Sequence, residues 1–335
     1  MILYSAPMAG YTHYAFRNLL RLFGGVDLIA TEMISARSFT EMEARRRDLP
    51  SRLYGIKDEA RPLTVQIWDN NPETLSFFAN RLASEYKVSV IDLNFGCPAR
   101  QIAGKNESGA YLLQYPERIG DIVRRVVGAA AGTPVSAKIR LGRTRDTVNA
   151  ADVAQAVEDA GAVSLTVHGR TAADMYRGKA DWDEIAKIKP KLRTIRLIGN
   201  GDIGSAEEAL FRLRNYPVDG VMIGRGCVAK PWVFRQIKQS LTAGETALQE
   251  PSGQEMSRIV AVHLAALRQQ FTESVALALI RKMMCRFISG LPGARKFRND
   301  ICAVKSADAF MTLVNRQWGV DNKYPITDNK ADSAE

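Results

Sequence analysis

The sequence VSVIDLNFGCPA spans residues 88–99 and joins a short apolar run to an abrupt turn. Its first four residues are rich in β-branched side chains and too few for a helix, so they predict a buried strand. Gly96 and Pro98 end that strand, because neither residue suits a strand interior. Cys97 is therefore placed on a loop at the carboxyl end of a strand, where parallel α/β proteins carry their chemistry. A half-buried cysteine that only packs is the alternative.

Similar strands recur over the first 240 residues or so and alternate with amphipathic helices. The eight strand candidates are Ile2–Ser5, Leu28–Thr31, Leu63–Ile67, Val88–Leu93, Val135–Ile139, Val163–Val167, Ile195–Ile198 and Gly220–Ile223. Several helices begin at a capping residue or a proline, as at Asn71-Pro72 and Ser205. Eight such units predict an α/β fold of the (β/α)8 TIM-barrel type. A doubly wound sheet is the alternative, although it rarely needs so many units.

The pattern changes after residue 243. Residues 244–253 are polar and contain Pro and Gly, which is typical of a linker. Residues 254–320 show helical patterns only, and residues 321–335 are polar. We therefore predict a barrel catalytic domain over residues 1–243, followed by a small all-α helical bundle and a polar tail.

The charge of the chain favours a polyanionic partner. Lys and Arg number 46 against 36 Asp and Glu, which gives a net charge of +10. Residues 251–320 carry ten Lys and Arg against four Asp and Glu, so the helical region is the more basic by density. RNA or DNA fits such a surface, and an ordinary solvated surface is the alternative.

Cysteine usage and the N-terminal sequence indicate a cytoplasmic protein. The four cysteines are widely spaced and form no CxxC pair, so they predict neither a metal site nor a disulfide framework. The first residues lack the basic and long apolar segments of a signal peptide. No apolar run is long enough for a membrane span.

Two glycine-rich turns follow the seventh and eighth strand candidates, at residues 199–202 and 224–226. In TIM barrels these two loops commonly bind phosphate through backbone N–H groups, and Arg225 adds a charged donor. The sequence therefore predicts a phosphate-bearing cofactor, with two plain turns as the alternative.

Three further side chains at the strand ends are candidates for chemistry. Lys138 should face an anionic group, because a lone buried ammonium is costly; a surface lysine is the alternative. His168 suits a cofactor edge or a substrate carbonyl, unless it is a structural histidine. With an unperturbed pKa near 8.5, a thiol at Cys97 stays protonated at neutral pH and can act as a general acid.

The strand-end sequences, in this order, resemble those of the dihydrouridine synthases over nearly the whole chain. The segments that carry the resemblance are residues 6–12, 32–33, 65–67, 92–99, 138–140, 167–171, 199–203 and 222–226. The family reduces uridine in RNA with FMN, so the resemblance implies a tRNA-dihydrouridine synthase that uses NADPH or NADH as reductant.

The resemblance also implies roles for individual residues. FMN would contact residues along the barrel mouth: Pro7, Met8, Ala9, Gln66, Lys138, His168, Asn200, Gly201, Asp202, Gly224 and Arg225. Hydride would reach C6 of a uracil flipped out of the RNA, and Cys97 would protonate C5. The uracil edge would be held by Asn94, His168 and Arg170. The RNA backbone would lie on basic residues of the helical region: Arg281, Lys282, Arg286, Arg295, Lys296 and Arg298.

One segment departs from the family pattern. Residues 104–112 usually form a run of small residues, but here Glu107 and Tyr111 add charge and bulk near the expected substrate entrance. Substrate choice therefore stays open, with ribosomal RNA or a small pyrimidine or enone as alternatives to tRNA. An RNA-binding protein without activity is a further alternative, which the intact Cys97 and Lys138 argue against. We expect a monomer.

Overall fold

A computed structural model describes residues 1–45, 50–243 and 248–320. Within these ranges nine parallel strands, β1 to β9, form one sheet. They are Ile2–Ser5, Leu28–Ile29, Ile34–Ser35, Thr64–Trp68, Val90–Asn94, Val135–Arg140, Ser164–His168, Arg196–Asn200 and Gly220–Ile223. Their order in the sheet is β2-β1-β9-β8-β7-β6-β5-β4-β3.

The two short strands β2 and β3 share one position of a closed barrel. β2 pairs with β1, β3 pairs with β4, and Ala30 bridges to Thr64 between them. The sheet thus closes at eight positions, which confirms the TIM barrel and excludes the doubly wound sheet. The strand predicted at Leu28–Thr31 corresponds to β2 and the Ala30 bridge, and the Thr31 N–H donates to the Thr64 carbonyl at 2.9 Å. The separate strand β3 was not predicted; before it, Thr31 Oγ1 accepts the Gln66 N–H at 3.2 Å.

Thirteen α-helices, α1 to α13, are present in the described part of the chain. They are Tyr14–Phe23, Ala36–Ala44, Pro72–Ser84, Pro116–Ala129, Ala150–Asp159, Trp182–Ala186, Ala206–Asn215, Arg225–Ala229, Val233–Ala243, Gly253–Gln270, Glu273–Phe287, Ala294–Ala303 and Ala307–Gln317. Asn71 and Ser205 cap α3 and α7 as predicted, since their side chains accept the N–H groups of Thr74 and Glu208. The short helices α2 and α8 were not predicted.

The register of β5 to β8 gathers polar residues at one end of the barrel. Asn94 lies opposite Lys138, Arg140 opposite His168, and His168 opposite Asn200. These positions are the carboxyl ends of parallel strands, which lie at the same edge of a sheet. The apolar residues of the strands and surrounding helices are buried and form the core that fixes this edge.

The C-terminal helices α10 to α13 pack on the barrel beside its mouth. α10 packs against α1, and α11 packs against α8. His263 of α10 stacks on His13, with ring centroids 6.0 Å apart, and its Nδ1 lies 3.2 Å from the Ala15 carbonyl oxygen. We call this contact region between barrel and C-terminal helices the seam.

The domain limits drawn from the sequence stay predictions. Residues 244–247 of the predicted linker and the whole predicted tail, residues 321–335, lie outside the described residues. No helix among the residues that are described is long and apolar enough to cross a membrane.

Candidate active site

The carboxyl ends of the strands surround a cavity of about 850 Å³, which we call the main cavity. Every residue predicted to contact the cofactor lines it: Pro7, Met8, Ala9, Gln66, Lys138, His168, Asn200, Gly201, Asp202, Gly224 and Arg225. So do three residues predicted to act on the substrate: Cys97, Asn94 and Arg286. Residues distant in the chain are thus brought to one volume that is large enough for a small-molecule ligand.

A chain of buried hydrogen bonds holds the loop that carries Cys97. Asn94 Oδ1 accepts the N–H groups of Gly96 at 3.1 Å and Cys97 at 2.9 Å. Asn94 Nδ2 donates to Gln66 Oε1 at 2.8 Å, and Gln66 Nε2 donates to Asp92 Oδ2 at 2.7 Å. Both ends of the Asn94 amide are therefore engaged within the protein, and the loop is fixed to the barrel interior.

Asp92 is the innermost member of this chain. It is fully buried, and its Oδ1 accepts the Ser136 hydroxyl at 2.6 Å. Burial raises the pKa of Asp92, although the hydrogen bonds from Ser136 and Gln66 oppose the shift. Sequence analysis gave Asp92 no role, and its place in a strand between apolar neighbours was the available signal.

Cys97 is half-buried and keeps its proton. Burial raises the pKa of the Cys97 thiol, because a thiolate is poorly solvated there. Its carbonyl oxygen accepts the Ala110 N–H at 3.0 Å. Gly109 has φ +57, and a Cβ on it would lie 2.7 Å from the Cys97 oxygen, so only glycine allows this approach. The segment that departs from the family pattern therefore packs directly against the reactive loop.

Lys138 places a half-buried positive charge beside the main cavity. Its Nζ donates to Asn200 Oδ1 at 3.2 Å, and Asn200 Nδ2 donates to the Met222 carbonyl at 2.7 Å. Burial lowers the pKa of Lys138 to about 8. Among the residues with described positions, no carboxylate forms an ion pair with it. An anionic or electron-rich group in the cavity would compensate this charge.

His168 is a neutral ring held by its neighbours. Burial and the surrounding cations, Lys138 first among them, lower its pKa well below the usual range. Arg170 Nη1 lies 3.4 Å from His168 Nε2. Since a guanidinium can only donate, Nε2 accepts and the ring proton is on Nδ1.

Arg170 lies behind the wall of the main cavity, although it was predicted to hold the uracil edge. It is 3% exposed, and its Nη2 donates to Asp202 Oδ2 at 2.8 Å and to the Gly178 carbonyl at 2.6 Å. Arg170 therefore orients Asp202 and His168, which themselves line the cavity.

Sequence analysis missed an exposed aromatic residue at the cavity mouth. Tyr176 is 62% exposed, and the guanidinium carbons of Arg140 and Arg225 lie 5.8 Å and 5.1 Å from its ring centroid. Arg140 Nε also donates to the Gly96 carbonyl at 2.9 Å. Tyr176 lies in a loop with no strand or helix pattern, so only the folded loop reveals its position.

The predicted RNA-binding residues of α11 have different surroundings. Arg286 Nη2 donates to the Tyr11 hydroxyl at 3.2 Å, and Lys282 Nζ lies 3.6 Å from the Tyr11 ring centroid. Arg281 donates to the Val304 carbonyl within the C-terminal helices. Arg286 reaches the main cavity, whereas Lys282 lies beside it and Arg281 points into the helical region.

Comparison with known proteins identifies the family of this chain. Residues 4–318 match the family model described as dihydrouridine synthase (Dus). A tRNA-dihydrouridine synthase B from Pseudomonas syringae pv. tomato is 36% identical over 330 residues, covering 98% of this chain and 95% of that protein. A tRNA-dihydrouridine synthase B from Pseudomonas aeruginosa is 37% identical, covering 91% and 89%. A probable tRNA-dihydrouridine synthase from Mycobacterium leprae is 33% identical, covering 96% and 89%.

Proposed function

The chain belongs to the dihydrouridine synthase family, and on that premise we propose that it reduces uridine in tRNA to 5,6-dihydrouridine. The observation that carries the proposal is the placement of Cys97. Its protonated thiol lies at the edge of the main cavity, on a loop fixed by Asn94, and the half-buried charge of Lys138 lines the same cavity. This arrangement suits the addition of a proton to a carbon that has just accepted hydride.

The residues of the main cavity fit FMN, on which the family depends in general. The cavity of about 850 Å³ has room for a flavin. The Lys138 ammonium donates to the neutral amide of Asn200, so it suits the electron-rich flavin ring. The Arg225 guanidinium and the loops of Gly201 and Gly224 suit the phosphate. When bound, FMN supplies hydride for C6 of the uracil, with NADPH or NADH as the electron source.

Cys97 supplies the proton in this proposal. The thiol holds a proton at Sγ at neutral pH, and it gives that proton to C5 of the uracil as the C5–C6 double bond is reduced. One hydride and one proton thus balance the reduction, and the thiolate left at Cys97 regains a proton from solvent. Asn94 keeps Sγ in position by fixing the backbone N–H groups of Gly96 and Cys97.

His168 and Arg170 have different roles in binding the uracil edge. The neutral His168 ring presents an Nδ1–H donor, because Nε2 faces the Arg170 guanidinium. Arg170 acts through His168 and Asp202, since its own side chain is buried behind them. We therefore infer that Arg170 is a positioning residue and that direct contact with the uracil belongs to residues that line the cavity.

A polymeric substrate explains the charge around the mouth. Arg286 lines the main cavity and Lys282 lies next to it, so the helical region extends the positive surface beyond the barrel. A small pyrimidine would gain nothing from this extension, whereas an RNA backbone would. The cytoplasmic location and the monomeric state accompany this proposal as predictions.

Mapping of dihydrouridine in RNA from a strain that lacks the gene tests the proposal. We expect the modification to disappear from tRNA and to return with the wild-type gene but not with Cys97→Ala. Purified protein should be yellow and release FMN on denaturation. Loss of dihydrouridine from ribosomal RNA alone would show that ribosomal RNA, not tRNA, is the substrate. An unchanged dihydrouridine content in both RNAs would overturn the proposed function.

A further inference from the structure

A second cavity of about 550 Å³ lies beside the Cys97 loop. Its walls come from three loops of the barrel mouth and include Pro98, Tyr111, Gln114, Arg143 and Asn149. Pro98 lines both cavities, so the two lie side by side. The second cavity is therefore adjacent to the loop of the reactive cysteine, and the proposed binding of FMN and uracil does not use it.

An aromatic ring and a cation face each other in this cavity. The guanidinium carbon of Arg143 lies 5.5 Å from the ring centroid of Tyr111, and its Nη1 donates to Gln114 Oε1 at 2.8 Å. Over the described ranges, no carboxylate forms an ion pair with Arg143. Its charge is therefore available to an anionic ligand.

A matched pair on the outer surface shows what distinguishes Arg143. The guanidinium carbon of Arg81 also lies 5.5 Å from an aromatic ring, that of Phe77 on α3. Arg81, however, is neutralised by Glu43 at 2.8 Å and by Glu85. Neither Phe77 nor Arg81 lines the main or the second cavity. These two pairings thus have the same distance, but carboxylates compensate the charge of Arg81, whereas no ion pair to Arg143 forms among the described residues.

Asn149 adds a polar atom without a partner. Its Nδ2 donates to the Leu113 carbonyl at 2.6 Å, whereas its Oδ1 is buried and accepts no hydrogen bond. An unmade hydrogen bond costs free energy, so a shift of the Asn149 amide that exposes Oδ1 to the second cavity would be stabilised by a donor there. The exocyclic amine of a nucleobase is a donor of the right type.

We propose that the second cavity binds a nucleotide of the substrate RNA next to the target uridine. The base packs against Tyr111, and its phosphate is bound by Arg143. Aromatic stacking with a neighbouring cation is how proteins bind single-stranded bases. Since Pro98 borders both cavities, an RNA whose uridine enters the main cavity has a neighbouring nucleotide within reach of the second. This inference rests on the proposed function, and it gives the atypical Tyr111 a role in substrate choice.

Steady-state kinetics with a tRNA transcript test this site. We expect Tyr111→Leu to raise the KM for RNA about tenfold, since stacking is worth ~1–3 kcal/mol per base. Tyr111→Phe should restore the wild-type KM, because the ring is kept. Arg143→Gln should reduce the slope of log affinity against log salt by about 1. Phe77→Leu is the control, and its KM should match that of the wild type.

Two further measurements separate this inference from the proposed function. Fluorescence anisotropy of labelled tRNA reports binding without turnover, so the site is tested even if the wild type forms no dihydrouridine. NADPH oxidation in the absence of RNA reports the main cavity alone. Unchanged RNA affinity and KM in Tyr111→Leu would overturn the inference. A raised KM for NADPH with unchanged RNA binding would also overturn it, because the cavity would then serve the reductant.

Discussion

The barrel mouth around Cys97 and the seam use buried polar groups in opposite ways. At the mouth, hydrogen bonds run from Asp92 through Gln66 and Asn94 to the loop and leave a cavity open beside it. At the seam, His13 caps α1 through the Phe16 N–H and stacks on His263, so the polar rings fill the contact. Buried polar side chains thus position a reactive group at the mouth, whereas at the seam they join α1 of the barrel to α10.

This difference separates catalytic effects from structural ones. Changes at the mouth should alter the chemical step and leave folding largely intact, because these side chains border a cavity and are not part of the packed apolar core. Changes at the seam should mainly alter the free energy of unfolding. They should alter RNA binding only where the substituted residue is a Lys or Arg that faces the solvent. The experiments below test that division, from the largest expected effect to the smallest.

Removal of the Cys97 thiol should have the largest effect. We expect Cys97→Ala to lower the rate of dihydrouridine formation about 10²–10⁴-fold, the usual contribution of a general acid. FMN content and RNA-free NADPH oxidation should persist, because the thiol takes no part in them. Cys302→Ala, at an exposed cysteine of α12, is the control. Normal product formation by Cys97→Ala would remove the cysteine from the mechanism.

Acid should weaken the seam. Burial lowers the pKa of His13 to about 3 and that of His263 to about 4, against about 6.5 in the unfolded chain. The unfolded state therefore binds more protons below pH 6.5, and the free energy of unfolding falls as the pH decreases from 6.5 towards 4. The expected loss is about 1.4 kcal/mol per histidine and pH unit.

Urea unfolding at pH 7.5 and pH 5.5 measures this loss. The control is His263→Gln, which removes one titrating group, so its stability should fall less over the same interval than that of the wild type. His168 remains in both proteins and contributes equally. An equal fall in the two proteins would show that the seam histidines do not determine the acid sensitivity.

Asn94→Ala should separate positioning from substrate binding. Loss of the two hydrogen bonds to the Cys97 loop should lower kcat roughly ten- to hundredfold, because misplacement of a reactive group by about 1 Å has effects of this size. The KM for RNA should change little, since both ends of the amide are engaged within the protein. A raised KM with unchanged kcat would restore Asn94 to direct contact with the uracil.

Single substitutions on α11 should have the smallest effects. Arg286→Gln should weaken RNA binding about fivefold and reduce the salt slope by about 1, as expected for one phosphate contact. Arg281→Gln is the matched comparison, because Arg281 donates to the Val304 carbonyl and should leave the slope unchanged. If the salt slope decreases equally in both variants, the sequence-based prediction that Arg281 also binds the RNA backbone is supported.

Much of the mouth could be predicted from the sequence because strand ends are local features. Lys138, His168 and Asn200 each follow an apolar run, so their common edge follows from the geometry of parallel strands. The prediction of Arg170 as a ligand is a different case. A residue two positions after a strand can point into the cavity or behind its wall, and only its bonds to Asp202 and Gly178 decide which.

By itself, the sequence determined the barrel, the loop that presents Cys97 and the basic character of the helical region. These properties depend on short-range periodicity, turn residues and charge counts, which need no long-range contact. Only the tertiary structure decided that Asn94 is fixed by Gln66, that Tyr176 lies between two arginines, and that Arg143 faces Tyr111. Such contacts join loops far apart in the chain, and they form only when the closed sheet brings those loops together.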